Sequence, residues 1–227
     1  MNIAVLTGAG ISRESGLQTF RDGDGLWEGH RVEDVATPEA WERDPEQVLR
    51  FYDQRRVDVQ HAEPNAAHRA LADLEAHHSV RIITQNIDDL HERAGSTEVI
   101  HLHGEVLKAR SVRDDRVLVD WRGDLALGDL GPDGGQLRPH VVWFGEGILG
   151  TEQAWTAAEE ADVFIVCGTS LLVQPAASLI EWTRAPEAFI VDPRPTRTSR
   201  RYGSLTIVSL PAGEGMPLVV AELLARQ

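Results

Sequence analysis

Ile3-Ala4-Val5-Leu6-Thr7 runs directly into Gly8-Ala9-Gly10-Ile11-Ser12, and this junction constrains the fold more than any other stretch. A short apolar, β-branched run followed by glycines and small polar residues is how a buried parallel strand hands over to a loop and a helix at a nucleotide site. Gly8 and Gly10 allow a tight turn and leave no Cβ between the backbone N–H groups and a pyrophosphate. Glycine turns after strands are common, however, and most hold no nucleotide.

Further apolar runs follow at Val80–Thr84, Val99–Gly104, Asp162–Cys167, Ala188–Val191 and Leu205–Ser209, with helical patterns between most of them. Strands apolar along their whole length, alternating with helices, argue for a parallel sheet covered on both faces. Thr37-Pro38 and Asp44-Pro45 each place a capping residue before a proline at the first helical position. They predict a short helix to about Arg43 and a longer one from Pro45 to about Gln60. On the longer one Val48, Tyr52 and Arg55 share a face, which reads either as an amphipathic helix with a solvated Arg or as a phenol and a guanidinium presented together. Pro64-Asn65 opens another helix with Ala67, Leu71 and Leu74 as core positions, and a last helix is expected from Met216 or Pro217.

Polar residues collect where these strands end. Gln85-Asn86-Ile87-Asp88 follows the Val80 run, at the edge where open α/β sheets place ligands, although amides and acids there also form turns. Gly168-Thr169-Ser170 follows the Asp162 run as a second phosphate-facing turn. Asp192 follows the Ala188 run, where an acid can accept hydrogen bonds from ribose hydroxyls. Phe20 to Trp27, hinged by Gly23 and Gly25, reads as a flap with aromatic anchors or as a surface loop with Trp27 tucked into the core. Glu105 to Pro139 is the least regular part, with hairpin strands near Val117–Trp121 and a Gly/Asp loop from Gly128 to Gly135, and reads as an insertion.

Composition sets the remaining limits. The 227 residues carry 22 basic and 36 acidic side chains, net charge −14, which disfavours nucleic-acid binding. The single cysteine, Cys167, excludes an internal disulfide and a cysteine zinc cage and reads as a core residue. With no apolar stretch of membrane-spanning length and no leader pattern, a cytoplasmic location without membrane partners is expected.

Ser15-Gly16-Leu17-Gln18-Thr19-Phe20-Arg21 and Gly25-Leu26-Trp27 continue the glycine loop. Together with Thr84-Gln85-Asn86-Ile87-Asp88, His103-Gly104 and Gly168-Thr169-Ser170, they resemble the NAD-dependent sirtuin deacylases over nearly the whole chain. The resemblance implies a Rossmann-like domain (1–28, 65–104 and 140–227) carrying a smaller domain built from two insertions, one helical (29–64) and one a degenerate zinc ribbon (105–139). It implies NAD held by Gly8, Ala9, Gly10, Ile11, Ser12, Phe20, Arg21, Trp27, Gln85, Asn86, Asp88, Gly168, Thr169, Ser170, Asp192 and Ala212. At Asp192 the family usually has Asn. His103 matches the catalytic base, aided by Asn86 and Asp88, while His101 is read as structural. An imidazole titrating near neutrality can accept a ribose hydroxyl proton.

The resemblance also implies that an acyl-lysine peptide lies along His140, Val141, Val142, Phe144 and Gly145 of a strand running to Glu146. Phe51-Tyr52-Asp53-Gln54-Arg55-Arg56 is similar to the subgroup that removes succinyl and malonyl groups, in which this Tyr and Arg hold the acyl carboxylate. The implied products are nicotinamide, free lysine and an O-acyl-ADP-ribose. Rival readings are an NAD hydrolase or ADP-ribosyl transferase, and a non-enzymatic NAD- or ADP-ribose-sensing module. The four zinc cysteines of the family are missing here: Ser111 stands near the first, and Gly131-Pro132-Asp133-Gly134-Gly135 near the last pair. No metal is expected, with Trp121 and Val117–Val119 holding the insertion to the main domain.

Overall fold

A computed structural model describes residues 1–18, 26–27, 29–196, 198–200 and 202–226. Its main layer is a six-stranded sheet built from β1 (Asn2–Thr7), β4 (Ser79–Thr84), β5 (Val99–His101), β9 (Val163–Cys167), β10 (Glu187–Val191) and β11 (Ser204–Val208). The order is β11-β10-β9-β1-β4-β5, and every pairing is parallel. The chain builds outward from β1 to β4 and β5, then crosses back to β9, so the order reverses between β1 and β9. Such a reversal opens a crevice at the carboxyl ends of the two strands.

The strand period of two sends alternate residues to opposite faces. Ile3 and Val5 of β1 join the core beneath α4 (Ala66–Leu74) and α8 (Ala212–Leu224), with Leu71, Leu74, Met216 and Val220. Ala4 and Leu6 join the core beneath α6 (Thr151–Glu159) and α7 (Leu179–Trp182), with Ala157, Leu179 and Ile180. Cys167 is fully buried in the first of these cores, as its apolar run implied. The covered, Rossmann-like parallel sheet expected from the sequence is present, except at β11. That outer strand leaves Leu205 and Ile207 exposed at 37% and 51%.

The second unit is a three-stranded antiparallel sheet, β6 (Gly104–Ser111), β7 (Leu118–Asp120) and β8 (Leu137–Val141), ordered β7-β6-β8. Against it pack α1 (Val32–Val35), α2 (Pro38–Arg43) and α3 (Pro45–His61); a small ribbon of β2 (Leu26–Trp27) and β3 (His30–Arg31) precedes them. Thr37 and Asp44 cap α2 and α3 as predicted, each accepting from the backbone N–H three residues on. Val35, Ala40, Val48, Phe51 and Tyr52 share one core with Val106, Val141 and Trp143. The two insertions thus form one smaller domain. The boundary expected after Pro139 falls inside β8, whose pairing with β6 continues to Val141.

Four expectations need correction. The run from Val99 is a strand only to His101; Leu102 and His103 turn, and Gly104 starts β6. At Gly104 φ is +79°, and a Cβ would stand 2.2 Å from the His140 carbonyl oxygen, so only glycine fits. The run from His140 is a strand only to Val141. The last helix begins at Ala212 with Pro217 inside it, because Pro211 supplies the turn into the helix and the Glu14 carboxylate accepts the Gly213 N–H at 2.6 Å. Finally, Val119 and Trp121 pack with Leu49 of α3, Ala109, Leu125 and Leu137, and so hold the ribbon to the helical insertion rather than to the main sheet.

Where the family implies zinc, the residues do not fit one. Ser111 Oγ donates to Asp133 Oδ2 at 2.7 Å, Gly135 N–H donates to Asp133 Oδ1 at 3.0 Å, and Arg113 Nη1 donates to the Asp133 carbonyl at 3.0 Å. The Ser111 hydroxyl and then the Gly135 N–H hold the Asp133 carboxyl below its ordinary range. One carboxylate and one hydroxyl are a poor set for zinc, which takes four mainly thiolate or imidazole ligands. Among the described residues one group could hold a metal, Glu92, His101 and Glu105, and it lies outside this loop. His101 Nε2 is already paired with Glu92 at 2.7 Å, and Glu105 with Lys108 at 2.7 Å. A structural zinc contributes about 10 kcal/mol to a small module. The expected outcome is therefore an unchanged melting temperature and unchanged turnover after treatment with a strong chelator. Stoichiometric zinc in purified protein would overturn this.

Candidate active site

The crevice between β1 and β9 is drawn closed at its base by glycines. Gly8 N–H donates to the Cys167 carbonyl at 3.1 Å and Gly10 N–H to the Gly168 carbonyl at 2.8 Å. A Cβ on Gly10 would meet Gly168 atoms at 2.7 Å. These glycines serve the close approach of two strand-end turns, which their N–H groups also join. Ile11 and Ser12 are buried just beyond, and half-buried Ala9 stands at the start of the turn.

The polar residues after β4 converge on this loop. Thr7 Oγ1 and Thr84 Oγ1 are 2.9 Å apart, and Thr84 Oγ1 accepts the Asn86 N–H at 3.0 Å, which turns the chain out of the strand. Asn86 Nδ2 then donates to Ser12 Oγ at 3.0 Å, and Ser12 Oγ donates to Asp88 Oδ2 at 3.0 Å. All three residues are buried, at 7%, 1% and 5% exposure. Gln85 Nε2 reaches across the crevice to Thr169 Oγ1 at 3.1 Å. Ser170 lies half-buried beside Thr169, and Asp192 at the end of β10 accepts the Arg194 N–H at 2.8 Å. Ala212 is buried at the start of α8.

Burial raises the Asp88 carboxyl to about 6, against hydrogen bonds from Leu90 and Ser12 that lower it. A folded-state value above the ordinary 3.8 means that the native protein binds more protons between those two pH values. Stability therefore falls as pH rises through this window, by up to about 3 kcal/mol for a shift of two units. Above pH 6 the ionised carboxylate costs stability, the sign expected of a group placed for chemistry.

His103 Nδ1 lies 2.9 Å from the Gln85 carbonyl oxygen. A carbonyl only accepts, so Nδ1 carries the proton and Nε2 keeps its lone pair. Burial lowers the His103 pKa from 6.5, opposed by the bond to Gln85. The imidazole is thus neutral at pH 7, with a basic nitrogen. His101 is different: burial alone would lower it, but Glu92 raises it on balance, and its Nδ1 contacts the Asn86 carbonyl at 3.2 Å. That contact braces the Asn86 backbone.

Trp27 is half-buried, its ring 5.0 Å from Phe51 and 6.1 Å from Tyr52, edge to face. Phe20 and Arg21 lie outside the described residues, as does most of the expected flap. Val142 N–H donates to the His103 carbonyl at 2.9 Å and Phe144 N–H to the Ala36 carbonyl at 3.0 Å, so the segment after β8 ties the base to the helical insertion. Phe144 and Gly145 are exposed, whereas His140 and Val141 are buried in β8. Burial and then Arg110 push His140 down to about 4.

Tyr52 and Arg55 do lie on one flank of α3, but neither is an open group. Tyr52 is wholly buried, and burial pushes its phenol up. Among the described residues neither its hydroxyl nor the Trp143 indole nitrogen makes a well-formed hydrogen bond, although the two side chains act on each other. Arg55 is paired with Asp58 at 2.7 Å and lies over the Phe51 ring at 5.3 Å. Sequence reasoning missed a third feature close by. The Glu146 carboxylate is gripped by both Arg110 and Arg138 and also accepts the Trp143 N–H at 2.8 Å. The signal available was two arginines on strands that flank a buried tryptophan.

Serine, amide and carboxylate groups at four adjacent strand ends suit a ligand rich in hydroxyls and amides, so the residues present fit NAD. Comparison with known proteins agrees. The Sir2 family model matches residues 8–175. An NAD-dependent protein deacylase of Helicobacter pylori is 52% identical over 196 residues, covering 85% of each chain. A solved Sir2 homologue in complex with NAD superposes with a TM-score of 0.86 at 40% identity, over 99% of this chain and 90% of that one. A Sir2–p53 peptide–NAD+ structure does so with a TM-score of 0.81 at 32% identity, over 98% and 93%. With the crevice, the buried Ser12–Asn86–Asp88 cluster and the oriented His103 in place, the chain belongs to the Sir2 family.

Proposed function

We propose that this chain removes acyl groups from protein lysines at the expense of NAD, succinyl and malonyl groups foremost and acetyl groups as well. The observation that carries the reading is the His103 tautomer, fixed by the Gln85 carbonyl so that Nε2 is a base at neutral pH. Bound NAD supplies the electrophilic ribose carbon, with nicotinamide as its leaving group. Ser12, Asn86 and Asp88 hold the ribose and carboxamide side, Gln85 and Thr169 the crevice wall, and Asp192 and Ala212 the adenosine side; Phe20, Arg21 and Trp27 belong to the covering segment. His103 Nε2 would take the proton of a ribose hydroxyl as the acyl group passes to that oxygen and the lysine nitrogen leaves as the free amine. Nδ1 keeps its own proton, so the ring shares its charge with the Gln85 carbonyl. Water must be kept out, because water arriving first merely hydrolyses the dinucleotide.

The peptide runs along Val142 to Gly145, beside His140 and Val141, where exposed main chain gives affinity with little sequence preference. The acyl carboxylate replaces Asp58 on the Arg55 guanidinium and meets the Tyr52 hydroxyl, which among the described residues has no well-formed partner. A planar guanidinium suits a carboxylate in bidentate fashion. The reading places the protein in the cytoplasm and works without a metal. No helix among the described residues is long and apolar enough to cross a membrane, and a net charge of −14 disfavours nucleic acid as a partner.

The test is mass spectrometry of the protein incubated with NAD and a succinyl-lysine peptide. The expected products are free lysine peptide, nicotinamide and succinyl-ADP-ribose. ADP-ribose alone would make the chain an NAD hydrolase, and no turnover a binding module.

A further inference from the structure

Beneath the Tyr52 hydroxyl lies a charge cluster that the deacylation chemistry does not use. Glu146 Oε1 and Oε2 accept from Arg110 Nη2 at 3.0 and 2.9 Å, and from Arg138 Nη1 and Nη2 at 2.8 and 3.0 Å. Arg138 Nη2 also donates to the Val141 carbonyl at 2.9 Å. Both arginines are buried, at 9% and 8% exposure. Two guanidiniums on one carboxylate leave a net charge of +1 in the core of the smaller domain. A buried ion pair would be complete with one arginine, and a second uncompensated cation costs stability unless something answers it.

This charge sits against the candidate acyl pocket. The Arg138 guanidinium lies 3.3 Å from the centroid of the Trp143 ring, and Trp143 packs with Tyr52 in the same core. Arg138 and Glu146 of the cluster both act on the Tyr52 phenol, Arg138 the more strongly. On the other flank the same two arginines, with Lys108, act on His140 against Glu105. The neighbouring Asp53–Arg56 pair on α3 is neutral in sum.

We propose that the Arg110–Glu146–Arg138 cluster selects for acyl groups that carry a carboxylate, its surplus positive charge being answered by the ligand's negative one. The proposal rests on the reading of Tyr52 and Arg55 as the acyl pocket. Arg110 acts through its field: among the described residues its side-chain hydrogen bonds go to Glu146, while Arg138 and the Trp143 N–H keep that carboxylate paired when Arg110 is lost.

The test is the ratio of kcat/KM for succinyl-lysine over acetyl-lysine peptides of one sequence, measured on one preparation so that the folded fraction cancels. In Arg110→Met the cluster becomes neutral, and the ratio should fall about tenfold, the effect of one unit charge acting across roughly 12 Å at an effective dielectric of about 20. Arg110→Lys keeps the charge and should restore it. Glu146→Gln leaves two cations, so its ratio should rise even though its stability drops. A strut with no electrostatic role predicts an unchanged ratio in all three. That result, or a fall in Glu146→Gln, overturns the proposal, and if Arg110→Met does not fold, Glu146→Gln and Arg110→Lys still decide. A wild-type protein that does not favour succinyl over acetyl sinks the pocket reading and this proposal together. A wild-type preference with unmoved variants sinks this proposal alone.

Discussion

His103→Ala is expected to lose deacylation by about 10²–10⁴-fold, the usual worth of a positioned general base, while NAD still binds. Nδ1 is committed to the Gln85 carbonyl at 2.9 Å, so the ring's one free function is the Nε2 lone pair. Burial lowers the group from its ordinary value, which favours the neutral ring that carries this lone pair. The side chains that bond to one another around the crevice, Ser12, Asn86, Asp88, Gln85 and Thr169, make those contacts without the imidazole. NAD affinity by calorimetry should therefore change little, whereas product formation by mass spectrometry should nearly vanish. Near-normal turnover in the variant would falsify the assignment of His103 as base.

The parts of this molecule legible in the sequence are those set by local rules. Thr37-Pro38 and Asp44-Pro45 announce α2 and α3 because capping and the fixed proline angle act within four residues. The strands of the parallel sheet are legible because burial on both faces makes them apolar without interruption, and the polar residues after β1, β4, β9 and β10 follow from their endings. What was hidden depends on distant partners. β6 carries Glu105, Lys108 and Arg110, and a strand so charged reads as a solvated loop until its pairing with β8 is seen. The Ser111–Asp133 clasp joins residues 22 apart, and the Arg110–Glu146 bond residues 36 apart. In α8, Pro217 invited a start at the wrong residue, since a proline marks a helix beginning far more often than it sits inside one. The glycines of the first loop also permit contact between the turns after β1 and β9, a pairing of distant residues that no local pattern shows.

Tyr52→Phe and Arg55→Met should each damage desuccinylation far more than deacetylation. Losing a charge-assisted partner to a desolvated carboxylate costs about 2–5 kcal/mol, which is about 30-fold to several-thousand-fold in kcat/KM. An acetyl group has no carboxylate, so its rate should stay within a few-fold. Stability separates this from a packing effect. Tyr52→Phe removes a buried hydroxyl that makes no well-formed hydrogen bond among the described residues and keeps the ring's contacts with Trp27 and Phe51, so the fold should hold. Arg55→Met breaks a three-residue helical pair with Asp58, whose own side chain is 34% exposed, and such partly solvated pairs are worth about 1 kcal/mol or less. Both variants should therefore melt within a few degrees of the parent while their succinyl and acetyl rates diverge. Equal loss of the two activities would mean that α3 only supports the fold, and that the acyl carboxylate is met elsewhere or not at all.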